Sequence, residues 1–230
     1  KGFNQAIAAA RQDAEVAFLG ACSTDDKRPI EAFCRNEGVM ARMCVKNRPS
    51  ACAAILTDGT GETRVTVHPG AELAAKDVDG FAGSIAIADF LLLNNEVPED
   101  VNLAAIEIAR RYGIKIIFNP APARPLPQAI LNAVSIFTPN EFEESSLPHS
   151  SAEVVTTLGA KGCRVRSTGE IIPAPVTQAV DSTGAGDTFN AVLAVRLAEG
   201  ATLREACVAA NAAAAQSVAV KYVMPSLPRR

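Results

Sequence analysis

The sequence has no tryptophan and only two histidines, and aromatic residues make up 5% of its 230 residues. So few aromatic side chains argue against a stacking platform for single-stranded nucleic acid. His68 and His149 are isolated from each other, which argues against a His-rich zinc site and against a Ser-His-Asp triad. We expect both histidines to be structural or surface residues.

Long apolar runs and blocks of positive charge are also lacking. The run from Ile85 to Leu93 is broken by Asp89, so no segment approaches the ~18 apolar residues needed to span a bilayer. The 22 basic and 25 acidic residues give a net charge of −3, with no Lys/Arg block to attract a phosphate backbone. We therefore expect neither a membrane nor a nucleic acid as partner.

Six cysteines are present, but none has the C-x-x-C spacing that is typical of metal sites and redox motifs. They stand mostly among apolar residues, at positions 22, 34, 44, 52, 163 and 207. This pattern predicts reduced, buried thiols in a cytoplasmic protein, with neither a disulfide framework nor a cysteine metal site. The remaining composition, 48% hydrophobic and 20% charged, is typical of a globular protein.

Helical and strand patterns alternate along the chain, which predicts βαβ units and a largely parallel sheet within one domain. Strands are expected at residues 15–19, 89–93, 115–118, 134–137 and 154–158, and helices at 4–11, 100–112, 185–199 and 202–220. A hairpin is expected from residues 51–57 and 62–67 around the turn Asp58–Gly61, and a further turn at Asp25–Pro29. Thr202 and Glu205 have the spacing of a capping box at the start of the last helix.

The segment Val180–Phe189, with the sequence VDSTGAGDTF, directly precedes an alanine-rich helix. Gly184, Ala185 and Gly186 would leave backbone N–H groups uncovered at the helix N-terminus, where the helix dipole favours an anion. Asp187 in the same turn would repel a phosphate that was only bound. It fits better as a base that takes a proton from a hydroxyl group while the N–H groups stabilise a phosphoryl group in transfer. The alternative, an ordinary acid that favours the helix dipole, leaves the glycines unexplained.

Asp181–Asp187 (DSTGAGD) resembles the C-terminal signature of the ribokinase-like, phosphofructokinase-B family of carbohydrate kinases. Four further segments resemble family motifs in the family's order: Lys1–Ala6 (KGFNQA), Asn119–Arg124 (NPAPAR), Thr138–Glu143 (TPNEFE) and Thr157–Gly162 (TLGAKG). Five ordered matches across essentially the whole chain make the resemblance specific. It implies one α/β domain over residues 1–230, with a doubly wound, mostly parallel sheet, flanking helices and a small β lid from about residues 42–70.

The resemblance also implies roles for individual residues. Asp187 corresponds to the catalytic base, and Gly184, Ala185 and Gly186 to the anion hole. The sugar-binding positions are matched by Lys1, Gly2, Asn4, Glu96 and Asp187. The ATP-contacting positions are matched by Asn140, Thr157, Leu158, Gly159, Ala160, Lys161, Gly162, Gly186, Asp187 and Asn211. The metal positions are matched by Asp181, Thr183, Ser217, Val220, Tyr222 and Ser226 for a monovalent cation, and by Glu143 for magnesium through water.

Several of these residues have a plain structural alternative. Glu96 could be a solvated loop acid, Asn140 a turn residue beside its proline, and Lys161 a surface lysine. Asn211 is harder to explain in this way, because asparagine is disfavoured inside a helix.

The activity implied by the resemblance is ATP-dependent phosphorylation of D-ribose to D-ribose 5-phosphate. Mg²⁺ would accompany ATP, K⁺ would be an activator, and the lid would form a homodimer interface. Among family members, the motifs matched by Lys1–Ala6 and Asn119–Arg124 favour ribose over fructose or adenosine as the substrate. The alternatives are another sugar or nucleoside kinase of the family, fructokinase-like or adenosine kinase-like, and a non-catalytic sugar- or nucleotide-binding relative.

The chain departs from the family pattern in several places, of which two concern the predicted site, and it is short in two others. Phe3 replaces an alanine beside two sugar positions, which predicts a reshaped pocket, and Tyr222 replaces a glycine of the cation loop. Only nine residues separate Glu143 from Glu153, which is tight for a parallel crossover. We expect a larger kinase of which the N-terminal strand region and an internal segment are missing from this sequence.

Overall fold

The computed structural model describes residues 1–57 and 63–230, so the expected turn Asp58–Gly61 lies outside the described residues. The helices are α1 (Gly2–Ala10), α2 (Thr24–Asn36), α3 (Ala75–Asp79), α4 (Ala82–Ala86), α5 (Glu99–Tyr112), α6 (Gln128–Leu131), α7 (Glu141–Ser145), α8 (Ala185–Ala198), α9 (Leu203–Ser217) and α10 (Val223–Ser226). The strands are β1 (Val16–Cys22), β2 (Val39–Val45), β3 (Cys52–Thr57), β4 (Thr63–His68), β5 (Phe90–Asn94), β6 (Lys115–Asn119), β7 (Ile136–Phe137), β8 (Glu153–Thr157), β9 (Cys163–Val165) and β10 (Ile171–Ile172).

The largest sheet has six strands in the order β10-β9-β8-β7-β6-β5. Its four strands from β5 to β8 are parallel, and β9 and β10 continue it in antiparallel fashion. Among the described strands, β1 and β2 pair with each other in parallel, and β3 and β4 form the expected antiparallel hairpin. The predicted α/β fold with a mostly parallel sheet and a small separate β element is confirmed.

The central strands are apolar on both faces, because successive residues of a strand point to opposite sides of the sheet. In β6, Ile116 and Phe118 enter one core and Ile117 enters the other. Val154 and Val155 of β8 divide in the same way. The first core packs against α3 to α6 and the second against α8 and α9, so the sheet lies between two helical layers.

A third core joins α1 to β2 and α8 through Ile7, Val39 and Val195. Helix α1 contacts α8 directly, which places the beginning of the sequence beside its C-terminal third. Helix α9 begins as predicted: Thr202 caps it, and the capping box with Glu205 is formed in both directions.

The expected turn at Asp25–Pro29 is wrong, because these residues lie in the first half of α2. Ser23 caps this helix by accepting a hydrogen bond from the Asp26 N–H group at 3.2 Å. Asp25 and Asp26 in the first turn favour the helix dipole, and the helix continues through Pro29. The expectation of buried cysteines also needs a correction, since Cys52 is exposed.

The crossover after Glu143 is feasible despite its shortness. Strands β7 and β8 pair in parallel, and residues 138–152, which include α7, connect them. Residues 42–45, which fall within the expected lid range, belong to β2, and the described hairpin begins at Cys52. Within residues 1–57 and 63–230, no helix is both long and apolar enough to cross a membrane.

Candidate active site

Asp187 lies in the first turn of α8, and its side chain is buried, with the residue 4% exposed. Gly184 precedes the helix with φ of +83°, a left-handed conformation that glycine adopts without strain. A Cβ atom at this position would lie 2.8 Å from Cγ1 of Val223. Position 184 therefore requires glycine for two independent reasons. The turn at this glycine sets where α8 begins, and so where Asp187 lies.

Two amide side chains of α1 hold the Asp187 carboxylate. Asn4 Nδ2 donates to Oδ2 at 2.8 Å and Gln5 Nε2 donates to Oδ1 at 3.2 Å. The Lys1 Nζ atom lies 4.0 Å from Oδ1. A carboxylate that accepts two hydrogen bonds next to an ammonium group is fixed in orientation, as a base must be to reach a bound hydroxyl group.

The N–H groups of Gly186 and Asp187 are open donors of this helix end, in addition to that of Gly184 before the helix. None of the three has a hydrogen-bond partner in the described part of the chain, whereas the Ala185 N–H group donates to the Ser182 carbonyl at 3.3 Å. Gly186 is exposed, and nothing lies within 4 Å of where its Cβ atom would be. An anion can therefore approach two N–H groups directly beside Asp187.

Glu96 reaches the same place from the loop after β5. One of its carboxylate oxygens lies 2.7 Å from the backbone nitrogen of Lys1. The loop is braced by the NPAPAR segment, since Asn95 Nδ2 donates to the Pro122 carbonyl at 3.0 Å and Arg124 Nη2 to the Val97 carbonyl at 2.6 Å. Of the predicted sugar residues, Asn4 and Lys1 thus lie against the Asp187 carboxylate, and Glu96 lies against the backbone of Lys1. Gly2 stands between Lys1 and Asn4 in the sequence.

Phe3 packs within the third core. Its ring lies 5.7 Å from the ring of Phe18 and 5.9 Å from that of Phe33. The larger side chain at this position is therefore accommodated between β1 and α2, and the reshaped sugar pocket stays a prediction.

The predicted nucleotide segments come together at the ends of β7 and β8. Asn140 forms a parallel bridge with Thr157, whose N–H group donates to the Pro139 carbonyl at 2.8 Å. Asn140 and Glu143 cap α7 reciprocally, at 2.8 and 2.9 Å. Asn140 therefore has a structural role as a helix cap, and not the expected alternative role in a turn; its ATP contact stays a prediction.

Residues 157–162 form a tight loop around the short 3₁₀ helix Gly159–Lys161. Gly162 closes it with φ of +98°, and a Cβ atom there would lie 2.1 Å from the Ile172 carbonyl oxygen. That same carbonyl accepts a hydrogen bond from the Asn211 Nδ2 atom at 2.8 Å. The buried Asn211 amide thus holds β10 in place, which explains an asparagine inside α9.

Two loops meet at the predicted cation positions. The Asp181 carboxylate accepts from the N–H groups of Thr183 and Tyr222, both at 3.0 Å. These hydrogen bonds hold the pKa of Asp181 below its ordinary value, and the bond from Thr183 has the larger effect. Ser217 and Ser226 are buried, and their hydroxyl groups donate hydrogen bonds to backbone carbonyls within their own helices. Val220 lies in the turn that follows α9.

Tyr222 has φ of +68°, which costs a residue with a side chain about 1–3 kcal/mol. Its side chain is exposed, so little packing compensates for the strain. We expect Tyr222→Gly to raise the free energy of unfolding by about 1 kcal/mol in chemical denaturation. Tyr112→Gly is the matched control: it changes the other tyrosine, at the end of α5, and should lower that free energy by ~0.5–1 kcal/mol. Destabilisation by both changes would contradict the strain at Tyr222.

Sequence reasoning missed several buried polar residues behind the site. They are Gln5, Asn94, Asn95, Asn102, Asn119, Thr138 and Asn190. Asn119 Nδ2 donates to the Thr138 carbonyl at 2.7 Å, and Asn102 Nδ2 to the Asn94 carbonyl at 2.9 Å. Gln5, Asn119 and Thr138 stand within recognised motifs, which was a usable signal. Asn190 stands three residues after Asp187 with no local pattern to mark it.

Comparison with known proteins shows the family to which the chain belongs. Residues 1–230 match the pfkB family carbohydrate kinases, and the chain belongs to this family. It is a carbohydrate kinase with a ribokinase-like α/β fold.

Several proteins similar to this chain are ribokinases. Ribokinase of Haemophilus influenzae is 36% identical over 258 residues, which take in 100% of this chain and 84% of that protein. The crystal structure of ribokinase from Thermotoga maritima has a TM-score of 0.85 at 30% identity and covers 99% of this chain and 83% of that one. Arabidopsis thaliana ribokinase complexed with ribose and ATP has a TM-score of 0.86 at 27% identity, with coverages of 99% and 83%.

Proposed function

We propose that this carbohydrate kinase transfers the γ-phosphoryl group of ATP to D-ribose and forms D-ribose 5-phosphate. The observation that carries the proposal is the buried Asp187 carboxylate, oriented by Asn4 and Gln5 directly beside the open N–H groups of Gly186 and Asp187. Similarity to ribokinases, one of them complexed with ribose and ATP, supports the choice of substrates.

The proposed reaction is an in-line displacement. The sugar's primary hydroxyl oxygen attacks the γ-phosphorus as its proton passes to Asp187, and the bond to the bridging oxygen breaks so that ADP leaves with the electron pair. The two helix N–H groups stabilise the charge on the group in transfer. Lys1, Asn4 and Glu96 supply the mixture of donors and acceptors that a polyol needs, and they hold its hydroxyl group at the base.

Magnesium fits this site as a partner of ATP. No group of three or more His, Cys, Asp or Glu side chains that could hold a metal is found in residues 1–57 and 63–230. Mg²⁺ commonly binds through substrate phosphates, water and one or two carboxylates. Glu143 would supply such a carboxylate through water. When bound, Mg²⁺ would neutralise charge on the phosphates. Potassium activation rests on the Asp181–Tyr222 contact that joins the two cation loops.

The remaining parts of the proposal concern assembly and location. The hairpin of β3 and β4 carries exposed apolar side chains at Leu56 and Val67, which lie on opposite faces of the ribbon by their register. As a lid, the hairpin would close over the sugar with one face. The other face would contact a second copy of the chain in a homodimer. A cytoplasmic location accords with six free cysteines.

A substrate panel tests the proposed activity. ADP release measured with ribose, 2-deoxyribose, fructose and adenosine should be highest with ribose. Release with fructose or adenosine instead would identify another sugar or nucleoside kinase of the family. Binding of ribose in calorimetry without ADP release would favour a non-catalytic relative and overturn the proposal.

A further inference from the structure

We propose that Thr138 and Asn190 are positioning residues that hold the anion hole through one buried chain of hydrogen bonds. The Thr138 hydroxyl group donates to the Asn190 amide oxygen, and Asn190 Nδ2 donates to the Gly186 carbonyl at 2.8 Å. Thr138 is 1% exposed and Asn190 is 2% exposed. The inference rests on the proposed function for its catalytic part and on the structure alone for its mechanical part.

The carbonyl that Asn190 holds belongs to the same peptide unit as the Asp187 N–H group. A peptide unit is planar, so fixing the direction of its C=O group also fixes the direction of its N–H group. That N–H group is one of the two open donors beside the base. Gly186 has no side chain to restrict its backbone, which makes an external restraint on this peptide useful.

Thr138 connects the restraint to the nucleotide end of the site. It follows β7 directly and precedes Pro139 and Asn140, and its own carbonyl accepts from Asn119 Nδ2 at 2.7 Å. The anion hole on α8 and the loop that begins at Pro139 are therefore joined by two side chains across the interior. Through this link, the anion hole and the loop that begins at Pro139 would keep a fixed separation during phosphoryl transfer.

The predicted effect is on turnover and not on substrate binding. Thr138→Val keeps the shape of the side chain, removes the donor and leaves the Asn190 oxygen without a partner. We expect kcat to fall about tenfold, the rate equivalent of one hydrogen bond, with KM for ribose and for ATP nearly unchanged. Thr138→Ser restores the hydroxyl group and should restore kcat. Asn190→Leu removes both bonds and should cost at least as much as Thr138→Val.

Thr156→Val is the matched control. Thr156 is also a threonine with 1% exposure, it lies in the neighbouring β8, and its hydroxyl group has no partner in the described part of the chain. This change should leave kcat unaltered and raise the stability of the protein, since it removes a buried unpaired polar group. Equal effects of Thr138→Val and Thr156→Val on kcat would overturn the catalytic part of the inference.

A second measurement is independent of turnover. NMR order parameters of the Gly186 and Asp187 amides should be near 0.85 in the wild type and in Thr156→Val, and should approach about 0.6 in Thr138→Val and Asn190→Leu. Unchanged order parameters in both variants would overturn the mechanical part. If the wild type releases no ADP with any sugar, the proposed function fails while this measurement still decides whether the link holds the peptide.

Discussion

Asp187→Asn is expected to reduce kcat by about 10²–10⁴-fold, the range in which a positioned general base contributes to a rate. The variant keeps the size of the side chain but cannot take the proton of the sugar hydroxyl group. ATP affinity measured by calorimetry should change little, because the N–H groups of Gly186 and Asp187 remain in place. If the variant kept the wild-type kcat in the ADP-release assay, Asp187 would not be the base.

A stability effect must be separated from this loss. An amide has one oxygen, so either Asn4 or Gln5 loses its acceptor in the variant, at a cost of about 1–3 kcal/mol. Chemical denaturation of the variant gives its folded fraction, by which kcat is corrected. Asp25→Asn serves as the control, since Asp25 is an exposed acid in the first turn of α2 and should affect neither kcat nor ATP binding.

Arg11→Met is expected to have the largest effect on stability, a loss of about 3–5 kcal/mol in the free energy of unfolding. The Arg11 side chain is 10% exposed, and its guanidinium group forms two bonds with the Glu37 carboxylate, at 2.7 and 2.9 Å. It also donates to the carbonyls of Met224 and Leu227 at 2.6 and 3.0 Å. Removing it leaves two carbonyls without that donor, and the nearly buried Glu37 carboxylate keeps only the bond at 2.9 Å from the exposed Arg229 side chain.

The exposed pair Arg111–Glu107 provides the control for this prediction. Its side chains are 64% and 76% exposed and 3.4 Å apart, so Arg111→Met should cost less than about 0.5 kcal/mol. Similar losses from both variants would show that the Arg11 contacts contribute no more than a surface pair.

The same ion pair gives a pH dependence of known sign. Hydrogen bonding to Arg11 lowers the pKa of Glu37 from its ordinary value of 4.5. The stabilisation is therefore fully present above pH 4.5 and is lost as the pH falls through the lower pKa of the folded state. Denaturation curves between pH 6 and about pH 3 should show a smaller acid loss for Glu37→Gln than for the wild type, in line with linkage.

The local parts of this molecule could be predicted from the sequence because their causes are local. The apolar runs of β5, β6 and β8 require burial on both faces, and the Thr202–Glu205 spacing marks the start of α9. Asp187 was located for the same reason, since the glycines that form its turn are its direct neighbours.

The failed turn at Asp25–Pro29 shows where local signals conflict. Aspartate and proline are common in turns, but Ser23 and Asp26 carry the stronger signal here, which is that of a capped helix. The partners of Asp187 could not be derived from spacing, because Asn4 lies 183 residues away and Gln5 182 residues away. The Thr138–Asn190 link was hidden for the same reason, at a separation of 52 residues.

The separation between Asn4 and Asp187 also bears on how the protein is made. A chain still under synthesis can fold α1 with β1 and β2 long before α8 has been translated, but it cannot assemble the base with its two amide donors. Contacts of such high sequence separation form late, after the intervening loop has been closed. Affinity for the sugar should therefore arise only once α8 is in place, so incomplete chains would not compete with the finished enzyme for its sugar substrate.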